Sequence, residues 1–174
     1  MELTNLLLDV PKMAADDYVG FTFFIGYMAM MAASVFFFFE RGNVDGKWKT
    51  SLLVSGLITF IAAVHYYYMR DYYMTHEVSP TFFRYIDWTL TVPLMCVEFY
   101  LLTKAAGAKT SLLWKLIGAS VLMLVAGYIG EAFNPMNERS TSHSVMWGVI
   151  STIGYVYILY TVWLGEVKTL AAKS

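Results

Sequence analysis

The chain has 174 residues, of which 58% are hydrophobic, 17% aromatic and only 14% charged, with a formal net charge of −1. An ordinary soluble domain carries about a quarter charged residues, so a water-soluble fold of this size would struggle to hide its apolar surface. The charge balance also lacks the basic excess that nucleic acid would require, and no nucleic-acid partner is expected. The apolar residues come in blocks of roughly 20, each long enough to cross a bilayer core of about 30 Å at 1.5 Å per helical residue. The expected fold is therefore an all-α membrane protein, an up-down bundle of transmembrane helices forming one domain over residues 1–174.

In chain order, Met1 to Asp17 lacks the basic start, apolar middle and small-residue cleavage pattern of a secretory signal. Five spans follow, over about 18–39, 50–70, 81–103, 111–131 and 144–164. Short breaks separate them: Glu40 to Lys47, Asp71 to Pro80, Lys104 to Thr110 and Asn134 to His143. Such connections suit neighbouring helices and leave no room for a second domain. The single cysteine, Cys96, sits inside the third span with no partner for a disulfide and no second thiol, so no metal site is expected.

Cytoplasmic loops carry the excess of lysine and arginine. The first loop, third loop and C-terminal tail hold eight such residues, Arg41, Lys47, Lys49, Lys104, Lys109, Lys115, Lys168 and Lys173. The N-terminal segment, second loop and fourth loop hold three, Lys12, Arg70 and Arg139. This asymmetry places the N-terminus outside and the C-terminus in the cytoplasm of a multi-pass cell-membrane protein.

The third span carries the chemistry. Arg84, Asp87 and Glu98 lie within it, although a charged side chain at the bilayer centre costs about 2.5–3.5 kcal/mol even on the lenient insertion scale. At 100° per residue Asp87, Thr91 and Glu98 fall within about 40° of one another, and Arg84 adjoins them, so all four form one polar stripe. Asp87 and Glu98 are separated by about 16 Å along the axis, Asp87 toward the outside and Glu98 toward the cytoplasm. Two carboxyls at different depths on one face suit stations of a proton path. The plain alternative is that these charges pair with other helices only to hold the bundle together.

The string Arg84-Tyr85-Ile86-Asp87-Trp88-Thr89-Leu90-Thr91-Val92-Pro93-Leu94 resembles the third-helix signature of microbial rhodopsins of the proteorhodopsin kind, Arg-Tyr-x-Asp-Trp-x-x-Thr-x-Pro-Leu, at all seven fixed positions. Phe39-Glu40-Arg41, Lys47 to Ser51, Gly127 to Glu131 and Tyr157 to Tyr160 are similar to family segments in the first, second, fourth and fifth helices. The resemblance implies a light-driven outward proton pump, a photoreceptor and transporter rather than an enzyme, with all-trans retinal as chromophore. It makes Asp87 the Schiff-base counterion and primary proton acceptor, Arg84 its tuner from the extracellular side and Glu98 the cytoplasmic proton donor. Thr91 would bond Asp87, and His65 would pair with it; the plain reading of His65 is a core histidine bonded to a backbone carbonyl. The implied retinal pocket contains Trp88, Met95, Met123, Gly127, Ser151 and Tyr155, with Tyr85 close by. Met95 stands where the family sets its colour, an apolar residue going with green absorption and glutamine with blue. Glu131 and His143 read as extracellular loop residues without assigned chemistry.

The family fold has seven helices and binds retinal through a lysine midway along the seventh. The eight lysines here, Lys12, Lys47, Lys49, Lys104, Lys109, Lys115, Lys168 and Lys173, fall in termini, loops or helix ends. Helices six and seven are thus expected from the rest of the protein or another chain, and the face they leave open should expose Asp87 and Glu98 to lipid. Expected partners are retinal, the bilayer, those two helices and further copies of the chain in a homo-oligomer. Chloride and sodium pumps of the family replace the Asp87-Thr91-Glu98 set and are disfavoured. A photosensor signalling to a membrane partner usually lacks the carboxyl at Glu98, and a retinal-free assembly subunit would bind no chromophore in any context.

Overall fold

The computed structural model describes residues 16–132 and 141–172, and all regular structure among them is helical. Five helices are long and apolar enough to cross a membrane: α1 (Tyr18–Glu40), α2 (Lys49–His76), α3 (Thr81–Lys104), α4 (Thr110–Glu131) and α5 (Thr141–Trp163). A short α6 (Glu166–Ala171) follows. Lys12, Arg139 and Lys173, which entered the count of basic residues, lie outside the described residues.

Local chemistry sets the helix ends. The Asp17 carboxylate accepts from the Gly20 amide at 2.8 Å and caps α1, satisfying one of the free N–H groups of a first turn. The expected end of the second span near residue 70 is too early, because Asp71 to His76 contains no breaker and the helix runs on to His76. It stops at Glu77, whose φ of 53° is left-handed and whose amide donates to Tyr73 O at 2.7 Å, with Pro80 barring continuation. Arg70 and Asp71 are therefore helical residues, not loop residues. Gly165 separates α5 from α6, an element without enough apolar length to announce itself.

Consecutive helices pack on one another, and α6 folds back on α3 and α5. Small residues let the backbones approach, as membrane bundles require. An added Cβ at Gly56 would lie 2.7 Å from the Phe38 ring of α1, and one at Gly154 would lie 2.7 Å from Ala119 O of α4. Hydroxyls then tie helix to helix: Ser34 donates to Gly56 O at 3.1 Å, Ser151 to Met123 O at 2.7 Å and Ser144 to Gly130 O at 2.9 Å. The buried cluster Cys96, Leu112, Leu116 and Val167 joins α3, α4 and α6 at the end that holds Lys104 and Lys109. Lys115 lies in the first turns of α4, 3.8 Å from Glu166. Together these contacts hold α3 between α2 and α4.

Candidate functional site along the third helix

Asp87 is buried, with only 3% of its surface exposed. The five helices thus cover it without help, contrary to the expectation of exposure to lipid, because the facing stretch of α2 packs directly over it. His65 Nδ1 of α2 lies 3.5 Å from Asp87 Oδ1. The same nitrogen is 2.9 Å from Ile61 O, and one ring N–H serves one of these acceptors well. The shorter, backbone contact takes it, so His65 is both the carbonyl-bonded core histidine and the neighbour of Asp87. Asp87 Oδ1 consequently has no hydrogen-bond donor among the described residues. Thr91 does not bond the Asp87 carboxyl; its hydroxyl donates to the Asp87 main-chain carbonyl at 2.9 Å, the back-bonding that a threonine mid-helix favours.

Glu98 is half-buried, and its Oε1 accepts from the Ser55 hydroxyl of α2. Sequence reasoning missed Ser55 because nothing in the second span marks which serine faces α3. Arg84 is paired not with Asp87 but with Glu131, the last residue of α4. Glu131 is thus no bystander of the loop: Thr81 donates to its Oε1 at 3.2 Å and Tyr85 to its Oε2 at 3.1 Å. The Arg84 guanidinium also lies over the Trp88 ring, 5.4 Å from its centroid. Polar groups therefore line α3 in three tiers, Arg84–Glu131, Asp87–His65 and Glu98–Ser55.

Beside the middle tier is a cavity of about 370 Å³ lined by Tyr85, Trp88, Val92, Met123, Leu124, Ser151, Thr152 and Tyr155. Five of the residues assigned to retinal by resemblance meet there. Gly127 adjoins it, and a Cβ at that position would come within 2.9 Å of the Tyr85 hydroxyl and 3.3 Å of Ser151 Oγ, so glycine keeps the space between α3, α4 and α5 open. Met95 is not in the lining and is 43% exposed. It continues the face of Trp88 and Val92 toward the Lys104 end of α3, where none of the five helices covers it. An aromatic and aliphatic wall with four hydroxyls, those of Tyr85, Ser151, Thr152 and Tyr155, in a volume within the usual 300–1,000 Å³ of ligand pockets, fits an elongated apolar chromophore. No lysine among the described residues reaches it: Lys47, Lys49, Lys104, Lys109, Lys115 and Lys168 lie in loops, helix ends, the first turns of α4 or α6.

Five apolar spans, with Asp87 buried and Glu98 half-buried on α3 and an apolar cavity beside them, define a membrane helix bundle that holds charge in its interior. The chain belongs to the bacteriorhodopsin-like protein family, whose model matches residues 17–174. It is 47% identical over 158 residues to the green-light absorbing proteorhodopsin of Gamma-proteobacterium EBAC31A08, covering 89% of this chain and 60% of that protein. It is 46% identical over 159 residues to the blue-light absorbing proteorhodopsin of Gamma-proteobacterium Hot 75m4, covering 91% and 61%. Among solved structures, a blue light-absorbing proteorhodopsin from Med12 is 42% identical with a TM-score of 0.74, covering 89% of this chain and 73% of that one. Xanthorhodopsin, a light-driven ion pump with dual chromophore, is 31% identical with a TM-score of 0.75, covering 90% and 66%. The chain spans about 60% of the length of the curated relatives it matches, which have the seven-helix fold of rhodopsins.

Proposed function

We propose that this chain supplies the proton path of a light-driven outward proton pump, within a protein that also holds two further helices and the lysine that binds retinal. The observation that carries the reading is the pair of carboxyls at two depths of α3, each set against a polar group of α2: Asp87 beside His65 and Glu98 beside Ser55. All-trans retinal, bound as a Schiff base, supplies light absorption and a proton that light makes mobile. Tyr85, Trp88, Met123, Gly127, Ser151 and Tyr155 hold and shape its space, and Met95 extends that face. The apolar residue at Met95 goes with green absorption.

The chain's own residues move the proton. Asp87, lacking a donor at Oδ1, has an oxygen free to take a proton on its carboxyl. Glu98, about 16 Å further toward the cytoplasm, stores a proton on its carboxyl and gives it back, with Ser55 fixing its rotamer. Separating acceptor from donor by depth on one helix gives the movement a direction. The basic residues Arg41, Lys47, Lys49, Lys104, Lys109, Lys115 and Lys168 support a reading in which that side is cytoplasmic and the N-terminus outside.

Flash spectroscopy of the full-length, retinal-loaded protein tests the reading. Glu98→Gln removes the donor and leaves the acceptor, so recovery of the dark spectrum slows by at least tenfold while the early steps keep their rates, and added azide, a small proton carrier, restores recovery. Recovery at the parent rate makes Glu98 a buried structural acid and favours a photosensor over a pump.

A further inference from the structure

Arg84 has two carboxylates within reach. Asp87 is three residues along on the same helix, a spacing at which side chains are neighbours, yet the guanidinium is paired with Glu131 across the α3–α4 contact. Glu131 is held for this task, because the Thr81 and Tyr85 hydroxyls donate to its two oxygens. The pair does little to stabilise the bundle: Arg84 and Glu131 are 31% and 42% exposed in their side chains, and ion pairs so open to solvent contribute little to stability. Its consequence falls on Asp87, whose Oδ1 is left without a donor.

We infer that Glu131 is a positioning residue for the proton-transfer site, drawing the Arg84 charge to the outer end of α4 and so keeping a cation away from Asp87. Other charged or titratable groups on the packed helices do not compete. His65 of α2 lies against Asp87, Arg70 of α2 lies over the Phe24 ring of α1 with 5.9 Å to its centroid, and His143 of α5 lies 6.3 Å from the Trp147 ring. Tyr128 of α4 touches Tyr85, 5.2 Å between ring centroids. Neutralising Glu131 frees Arg84 to turn to Asp87, where a positive charge offsets the carboxylate that opposes the chromophore's own charge.

The inference rests on the proposed role of Asp87, and the test separates the two. In the full-length, retinal-loaded protein, Glu131→Gln is expected to move the absorption maximum to longer wavelength, in the same sense as Asp87→Asn and by less. Glu131→Asp, which keeps the charge, restores most of the parent spectrum. In an Arg84→Gln background Glu131→Gln has no further effect, because the group it would release is gone. Solid-state NMR of the unaltered protein in lipid should show a contact between the Arg84 guanidinium nitrogens and the Glu131 carboxyl carbon, a readout that survives if a variant fails to bind retinal. Additive shifts from Arg84→Gln and Glu131→Gln, a silent Glu131→Gln, or no such contact overturns the inference while leaving the role of Asp87 intact. An unmoved spectrum in Asp87→Asn removes the proposed acceptor and this inference with it.

Discussion

Asp87 and Glu98 sit on one helix face but in different surroundings. Asp87 is 3% exposed and lacks a donor at one oxygen, a costly arrangement for a carboxylate, whereas Glu98 is half-buried and bonded to Ser55. That both carboxyls and Arg84 share a stripe was legible from spacing alone, since positions along a single helix fix relative direction. Their partners were not legible. Ser55 and Glu131 reach α3 from other helices and went unassigned, and His65 was set beside Asp87 by resemblance alone, because the rotation of one helix against another is set by packing that no local spacing encodes. Glu131 was also disguised by its place at the end of a span, where a charged residue is expected in any case. Met95 gives a prediction at this scale. A polar amide there changes how charge is stabilised along an excited polyene, so Met95→Gln should shift the absorption of the full-length, retinal-loaded protein from green toward blue. A spectrum that stays in place would remove Met95 from the chromophore's surroundings, where its 43% exposure otherwise leaves it free to contact a group bound on that face.

Among the helices, the five apolar blocks declared themselves within a residue or so at most ends, because a span must run about 20 apolar residues and then stop at charge, glycine or proline. The exceptions are the start of α5, at Thr141 and not near 144, and the six extra residues of α2 from Asp71 to His76, an amphipathic and aromatic segment on which a rule based on apolar length ends too soon. The short α6 escaped for the same reason. Glycines give these elements a test in which two effects compete. Gly118 and Gly154 are both helical, so alanine gains up to about 1 kcal/mol of helix propensity at either. At Gly118 a new Cβ meets nothing within 4 Å, whereas at Gly154 it would meet Ala119 O at 2.7 Å and the Met123 Cβ at 3.2 Å. Overpacking costs about 1–3 kcal/mol, which outweighs the propensity gain. Gly118→Ala should therefore hold or raise the temperature at which the retinal-loaded protein bleaches, and Gly154→Ala should lower it. Equal bleaching temperatures for the two variants would mean that α4 and α5 do not approach through Gly154.

For the whole molecule, composition alone required a bilayer, and the row of helices explains how so apolar a chain still assembles around charge. Large side chains such as Phe36 and Phe39 of α1 and Val149 and Ile153 of α5 remain exposed, which carries no penalty for an apolar side chain in a membrane. Charge is gathered instead on α3, flanked on both sides. The family was legible in the third-helix string, and the position of Asp87 inside the bundle needed the fold. The proposed activity is best tested by a single measurement, the pH change outside cells that carry the full-length, retinal-loaded protein when they are illuminated. The outside should acidify in the light, and Asp87→Asn should abolish the change by removing the group that takes the proton; undiminished acidification in that variant would contradict the account.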